Sequence, residues 1–305
     1  MFRNLERSHR GPSAPTLDQI SVFLAIVETG SFAAAGRKLG RATSAVSYAI
    51  AHLESQLGLI LFVRAGAAKP RLTEAGRAIL SDGRGLAIAL DGLIAKARGL
   101  TQGLEAEVRL VVDVMLPAKL LVRALDDFRR KFPTVGVRLQ AEALGAVTEA
   151  VLSGGAMFGL SGPLEMSNDL LVRGPAGSVK LIPVAHPDHP LAGMGKVTGA
   201  MARDHVQLVL SDRSSLTQGR DFGVLAVKSW RLADLGAKHA LLLAGLGWGS
   251  MPKPMVSDDI KRGRLVKLAI DAWDHAQYRF HTVHRSDMPP GPAASWLMER
   301  LAMER

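Results

Sequence analysis

LDQISVFLAIVETGSFAAAGRKLGRATSAVSYAIAHLESQLGLILFVRAGAAKPRLTEAG, residues 17–76, decides the fold of the N-terminal quarter of this chain. It reads as three short helices followed by a basic hairpin. Thr16 is placed to cap the first helix, and Gln19, three residues on, completes a capping box. Ile20, Phe23, Leu24 and Val27 give that helix its apolar face, and Gly30 closes it. Ser31 caps a second helix through Phe32, Ala34, Ala35 and Leu39, which ends at Gly40. A third helix runs from Thr43 to Leu57, where Gly58 stops it. Three compact helices with a tight turn between the second and third are the plan of a helix-turn-helix DNA reader.

On the third helix Val46, Ile50, Leu53 and Leu57 fall within one narrow stripe, so they are expected to face the core. The opposite side carries Ser44, Tyr48, Ala51 and Ser55, flanked by Ser47 and His52. Small, hydroxyl-bearing side chains suit close approach to a major groove about 12 Å wide. The same face also fits the solvated side of an ordinary three-helix bundle, and the helix alone does not separate the two readings. The hairpin does. Its apolar residues Leu61, Phe62 and Val63 can seal the helical core, while Arg64, Lys69 and Arg71 reach outward as a basic wing. Such a wing supplies phosphate contacts, which set register without reading sequence. Residues 1–75 hold nine Lys and Arg against five Asp and Glu, within a chain of net charge +10, a balance that favours a polyanionic partner.

This stretch resembles the N-terminal domain of the LysR-type transcriptional regulators. The family's GSFxxAA element stands here as residues 30–35, its LExxLGxxLFxR element as Leu53-Glu54, Leu57-Gly58, Leu61-Phe62 and Arg64, and its LTxAG element as residues 72–76. The resemblance implies that the third helix enters the major groove and that the wing grips the backbone. Two departures fall on the reading face. Where the family opens this helix with Ser-Gln-Pro, the chain has Ala42-Thr43-Ser44, with Thr43 expected to take over the cap. Tyr48 replaces the family's Arg or Lys, exchanging a cation for a ring and a hydroxyl. Thr43, Ser44, Ser47, Tyr48, His52, Arg64, Lys69 and Arg71 are the expected DNA-contacting residues.

A longer helix is expected after Thr73. Ile79, Leu86, Leu90, Leu93, Ala97 and Leu100 recur at alternating steps, with Gly83 in one seam position. This is a coiled-coil-like stripe reaching about residue 100, roughly 40 Å long. In the resembled family the segment is a dimerising linker. The expected divisions are a mobile basic tail at 1–15, the winged helix-turn-helix at 16–75, the linker helix at 76–100 and an effector domain at 101–305.

Beyond residue 101, apolar runs bounded by Pro and Gly alternate with helical patterns, the mark of an α/β sheet. Strands are expected at residues 108–114, 135–141, 158–160, 179–185, 206–210, 224–228 and 280–284. Helices are expected at 117–131, 144–152, 233–243 and from 292 onward. Two α/β lobes crossed twice by the chain, one about 106–178 with 269–305 and the other about 179–268, resemble the effector domain of the same family and the periplasmic binding proteins. Ligands of such folds lie between the lobes, at strand C-termini and helix N-termini. The candidates for lining that cleft are Asp113, Val114, Met115, Ser161, Asp212, Ser214, Trp248 and Gly249. Asp113, Val114 and Met115 stand where the family tends to place Ser or Thr, and Met157 replaces an acidic residue. With Met115 and Trp248 as walls, a partly apolar or aromatic ligand is expected.

Other motifs point nowhere. Residues 245–249, GLGWG, follow an apolar helix and run into Met251-Pro252 instead of opening a second one, unlike a nucleotide loop. Residues 186–190, HPDHP, contain two prolines and read as a surface turn. His281 and His284 lie three apart on a strand and point to opposite faces. No metal, cofactor or catalytic constellation is expected, and with no cysteine no thiol chemistry is available. The sequence reads as a cytoplasmic, soluble, dimeric or tetrameric regulator that binds double-stranded DNA and a small-molecule effector, with RNA polymerase as a further partner implied by the resemblance. Its competitors are an α/β enzyme with a helical interaction module and a nonspecific architectural DNA binder.

Overall fold

A computed structural model describes residues 14–63, 69–101, 103–164, 168–220, 222–271, 273 and 277–303. The chain divides into two compact units at residues 98 and 99.

The first unit begins with α1 (Leu17–Thr29), α2 (Phe32–Leu39) and α3 (Thr43–Leu57). Thr16 and Gln19 form the capping box, and α1 ends at Gly30 with φ 71°. Ser31 caps α2 by accepting from the Ala34 N–H at 3.0 Å. The cap of α3 differs from expectation. Ala42 occupies that position without a side-chain hydrogen bond, because Thr43 already lies inside the first turn. The buried face of α1 is also rotated. Ile20, Val22, Phe23, Ala25 and Ile26 enter the core, whereas Leu24 and Val27 are only half-buried. Val46, Ile50 and Leu53 of α3 meet them, each with no exposed surface.

Strands β1 (Phe62–Val63) and β2 (Arg71–Leu72) pair antiparallel to form the wing, with Phe62 opposite Leu72. Leu61 and Phe62 seal the helical core, and Glu54 of α3 accepts both of their N–H groups, at 2.7 and 3.2 Å. The wing is thereby tied to the helix it flanks. Glycine is required at residue 76, because a Cβ there would lie 2.3 Å from the Leu61 carbonyl oxygen. The long helix α4 (Glu74–Thr101) follows without a break. Its first turns do not belong to a free seam. Ile79 and Leu80 pack on the helical core, and Gly83 faces Ile20 and Leu24. Farther along, Leu86, Leu93 and Ile94 are well exposed.

The second unit is α/β. Strand β3 (Glu107–Asp113), helix α5 (Ala118–Lys131), strand β4 (Gly136–Glu142), helix α6 (Gly145–Leu152) and strand β5 (Phe158–Ser161) build one lobe. The long strand β6 (Leu171–Ala185) leaves it. The other lobe holds α7 (Gly199–Arg203), β7 (Gln207–Leu210), a single 3-10 turn (Ser215–Thr217), β8 (Ser229–Leu232), α8 (Leu235–Leu243), β9 (Trp248–Pro252), α9 (Lys253–Lys261) and β10 (Val266–Lys267). Strand β11 (Gln277–Arg285) returns beside β6, and α10 (Pro292–Met303) closes the first lobe. The strand order is β4-β3-β5-β11-β6-β9-β7-β8, with β10 on β6. The antiparallel β6–β11 pair is therefore the hinge on which both lobes are hung.

No strand forms at 224–228. The N–H groups of Leu225 and Ala226 donate instead to the Gln207 side-chain carbonyl, at 2.8 and 3.0 Å, and the Gln207 amide donates to the Gly223 carbonyl. One buried amide thus replaces a ladder, and the strand begins at Ser229.

Candidate DNA-reading face and inter-lobe cavities

Thr43, Ser44, Tyr48 and His52 are all exposed on α3, Tyr48 to 73%, and Ser47 is half-buried among them. Two side chains on this face are held in place. Gln19 of the capping box accepts the Thr16 N–H through Oε1 at 2.8 Å, which fixes its amide, and its Nε2 donates to His52 Nδ1 at 2.8 Å. A neutral His52 then carries its proton on Nε2. Tyr48 stacks on the same ring, with centroids 6.1 Å apart and planes 25° from parallel. A cap on the first helix therefore orients a donor on the third, a link that the 33-residue separation concealed in the sequence. Arg41, just before α3, is bound bidentately to Asp18 at 2.7 and 2.8 Å and holds that carboxyl below the usual carboxylate range. Lys69 and Arg71 are exposed on the wing, while Arg64 lies outside the described residues.

The candidate effector residues separate into two groups. Met115 lines a cavity of about 220 Å³ between the lobes. Asp212 and Ser214 line an adjoining, more open recess of about 680 Å³. Leu144, Val209, Leu210 and Phe222 are common to the walls of both.

Asp113, Val114, Ser161, Trp248 and Gly249 do not line either one. Asp113 has no exposed surface and accepts from the Met115 N–H (2.9 Å), the Leu144 N–H (3.1 Å) and the Tyr278 hydroxyl (2.6 Å). Burial raises its carboxyl to about 6, and those three donors oppose the rise. It is an internal knot joining β3, α6 and the hinge strand β11, and it holds Leu144 at φ 44°, a left-handed conformation costly for leucine. Ser161 accepts from Arg173 at 3.0 Å within the lobe. Val114 packs against the first lobe's core. Trp248 is fully buried in the second lobe, where its indole N–H donates to the Ala202 carbonyl at 3.1 Å. A tryptophan between glycines in sequence is here a core side chain, not a cleft wall.

Asp212 ties the lobes directly. Its carboxylate takes the N–H groups of Gly145 (2.7 Å) and Ala146 (3.2 Å), the first of α6, and the Thr217 hydroxyl donates to it as well. Because α6 has no side-chain cap of its own, the second lobe supplies one. Asp212→Ala is expected to cost about 0.5–2 kcal/mol in urea unfolding, the ordinary worth of a helix cap. A smaller loss would mean that water satisfies α6 equally well.

The residue that sequence reasoning missed is Lys238. It lies on the inward stripe of α8 with Leu235 and Leu242, is 2% exposed, and lines the 220 Å³ cavity. Desolvation lowers its ammonium to about 8. The signal was present in the sequence, since positions 235, 238 and 242 follow helical spacing and one of them is charged.

Residues 17–77 match the family model described as bacterial regulatory helix-turn-helix protein, lysR family, and residues 101–304 match the LysR substrate binding domain. The chain is 33% identical over 267 residues to the probable HTH-type transcriptional regulator YhaJ of Escherichia coli, covering 83% of this chain and 85% of that protein. To the HTH-type transcriptional regulator AceR of Acinetobacter baumannii it is 28% identical over 295 residues, covering 94% and 97%. A full-length BenM mutant superposes with a TM-score of 0.51 at 22% identity, covering 94% of each chain. A full-length OxyR mutant from Pseudomonas aeruginosa gives 0.51 at 15% identity, covering 94% and 99%. The two solved structures speak to the fold alone.

Proposed function

The chain belongs to the LysR family of transcriptional regulators, and from that premise we propose how its parts divide the work. The reader at 16–75 binds double-stranded DNA, the helix at 76–100 pairs two copies, and the unit at 101–305 takes a small-molecule effector between its lobes. The observation that carries this reading is the exposed, hydroxyl-rich face of α3 beside a wing bearing Lys69 and Arg71. Ser44, Ser47, Tyr48 and His52 meet base edges or nearby phosphates, and the wing cations grip the backbone. Effector binding shifts the balance between lobe arrangements, which changes how two paired readers sit on two half-sites. Contact with RNA polymerase belongs to the same proposal, and no catalytic step does.

Selection of genomic fragments on the purified protein at about 150 mM salt, where nonspecific binding is suppressed, tests the reading. A shared site with two-fold symmetry is expected, and fragments without a common site would contradict it. On that site, Lys69→Ala and Arg71→Ala are each expected to lower the log-log salt slope by about 0.9 and to weaken all sequences alike. Tyr48→Ala is expected to narrow the gap between the selected site and its single-base variants by about 1–3 kcal/mol. Equal discrimination by Tyr48→Ala and the wild type would remove that residue from base reading.

A further inference from the structure

A lysine that is almost wholly buried is rare, because removing an ammonium from water is costly unless an anion or an acceptor replaces the water. Lys238 has neither among the described residues, although it is 2% exposed. Two other polar side chains of the lining are committed. Gln207 spends its amide on residues 223–226, and Tyr278 donates to Asp113. The stem of Lys238 crosses Gly249, where a Cβ would stand 3.1 Å from its Cε and 2.6 Å from the Leu208 carbonyl oxygen. Gly249 therefore leaves the room that the lysine uses.

Much of the remaining wall is apolar. Met115, Leu144, Leu181, Leu208 and Phe222 supply that apolar part, and Ser250, Trp273 and Gln277 also belong to the lining. Its 220 Å³ equals the liquid volume of about seven waters, so the occupant is compact. The adjoining recess is lined by Arg213 and Arg220, while its Asp212 is taken up by the N–H groups of α6. Positive potential therefore lies at the mouth as well as inside, and favours entry of an anion.

We propose that the inter-lobe cavity binds a compact organic monocarboxylate, with the Lys238 ammonium as its counter-ion and the apolar wall enclosing its hydrocarbon body. The inference rests on the reading of this cavity as the effector site and names the class of effector. One carboxylate neutralises one ammonium. A dianion would bring a second charge for which the lining of this cavity holds no second cation. An amine would face an unrelieved like charge.

The test uses the full-length protein and a panel of monocarboxylates of about four to nine carbons, aliphatic and aromatic, each paired with its neutral amide. Thermal shift and calorimetry are the readouts, on the wild type and on Lys238→Met, which keeps the stem and removes the charge. At least one acid is expected to raise the melting temperature while its amide does not. Lys238→Met is expected to bind that acid about tenfold to a hundredfold less tightly. Amides as effective as the acids, or an acid that binds Lys238→Met unchanged, would overturn the carboxylate assignment and leave the cavity as an effector site. Inorganic phosphate as effective as the organic acids would overturn it too, since the apolar wall would then be idle. If no member of either set shifts a protein that still selects its DNA site, the assignment falls together with the reading of this cavity, but DNA binding stands.

Discussion

Leu86→Glu combined with Leu93→Glu is expected to turn the protein into a monomer in sedimentation and to weaken binding to a two-fold DNA site by about a hundredfold or more. The reasoning starts from α4, a 28-residue helix whose first turns are already occupied. Ile79, Leu80 and Gly83 serve the reader's own core, so the proposed pairing seam begins at Leu86. From there Leu86, Leu93 and Leu100 recur at heptad spacing and are exposed by 48%, 64% and 50%. Burying one such leucine against a partner contributes about 1.5–3 kcal/mol, and a carboxylate in its place forfeits that and adds repulsion across the two-fold axis. Joining two readers raises affinity by about 10²–10⁴ through effective concentration alone, and this is the quantity lost with the dimer. Ile88→Glu is the control. Ile88 is 72% exposed but lies on the opposite side of the helix from Leu86 and Leu90, so both dimer and affinity should survive its replacement. A Leu86→Glu, Leu93→Glu protein that stays dimeric would move the pairing surface off this helix.

How far the sequence could be read depended on whether a signal was local. The reader was legible because its landmarks act within a few residues. Thr16 and Gln19 close a box, Ser31 caps α2, and Phe62 enters the core as the first residue of the hairpin's β1. The cap of α3 stands one position before the expected one, since a threonine beside a helix start serves equally as cap or as first residue in sequence, and only the backbone decides. In the second unit the large elements β3, α5, β4 and α6 were legible from their apolar runs. Helix α9 was not, because only Val256 and Ile260 mark its inward side. The absent strand at 224–228 failed for another reason. Its apolar residues satisfy their backbone through Gln207, 16 to 19 positions away, and no local pattern carries that information.

The candidate site followed the same division. The cleft's position came from the two-lobed plan, and Met115, Asp212 and Ser214 do line its cavities. Asp113 and Trp248 looked like ligand residues because a charge at a strand end and an indole between glycines are conspicuous in one dimension. In three dimensions each has found an internal partner, Tyr278 for the carboxylate and Ala202 for the indole. Lys238 was overlooked for the converse reason. A lysine in a helix is ordinary until its neighbours at 235 and 242 prove to be buried.

Lys238→Met is expected to stabilise the ligand-free protein, by about 3 kcal/mol at pH 7. Desolvation lowers the lysine to about 8 in the folded chain, against about 10.4 when unfolded, and each unit is worth about 1.4 kcal/mol. The sign follows from proton binding. Between pH 8 and 10.4 the unfolded chain holds this proton more tightly than the folded one, so wild-type stability rises with pH across that window. Below pH 8 the folded protein carries the full cost of a buried ammonium. Methionine keeps the unbranched stem over Gly249 and carries no charge, so its advantage should be largest at pH 7 and vanish near pH 10.4. For a unit of this size the gain corresponds to about 6–12 °C in melting temperature. Natural chains retain such a cost where binding requires it, because an anion that neutralises Lys238 gains more in the closed cavity than in an open, wetted one. That difference is what allows a ligand to shift a lobe equilibrium. A Lys238→Met chain that melts below the wild type at pH 7 would mean that the ammonium already has an internal partner, and the stored cost on which the effector's leverage depends would not exist.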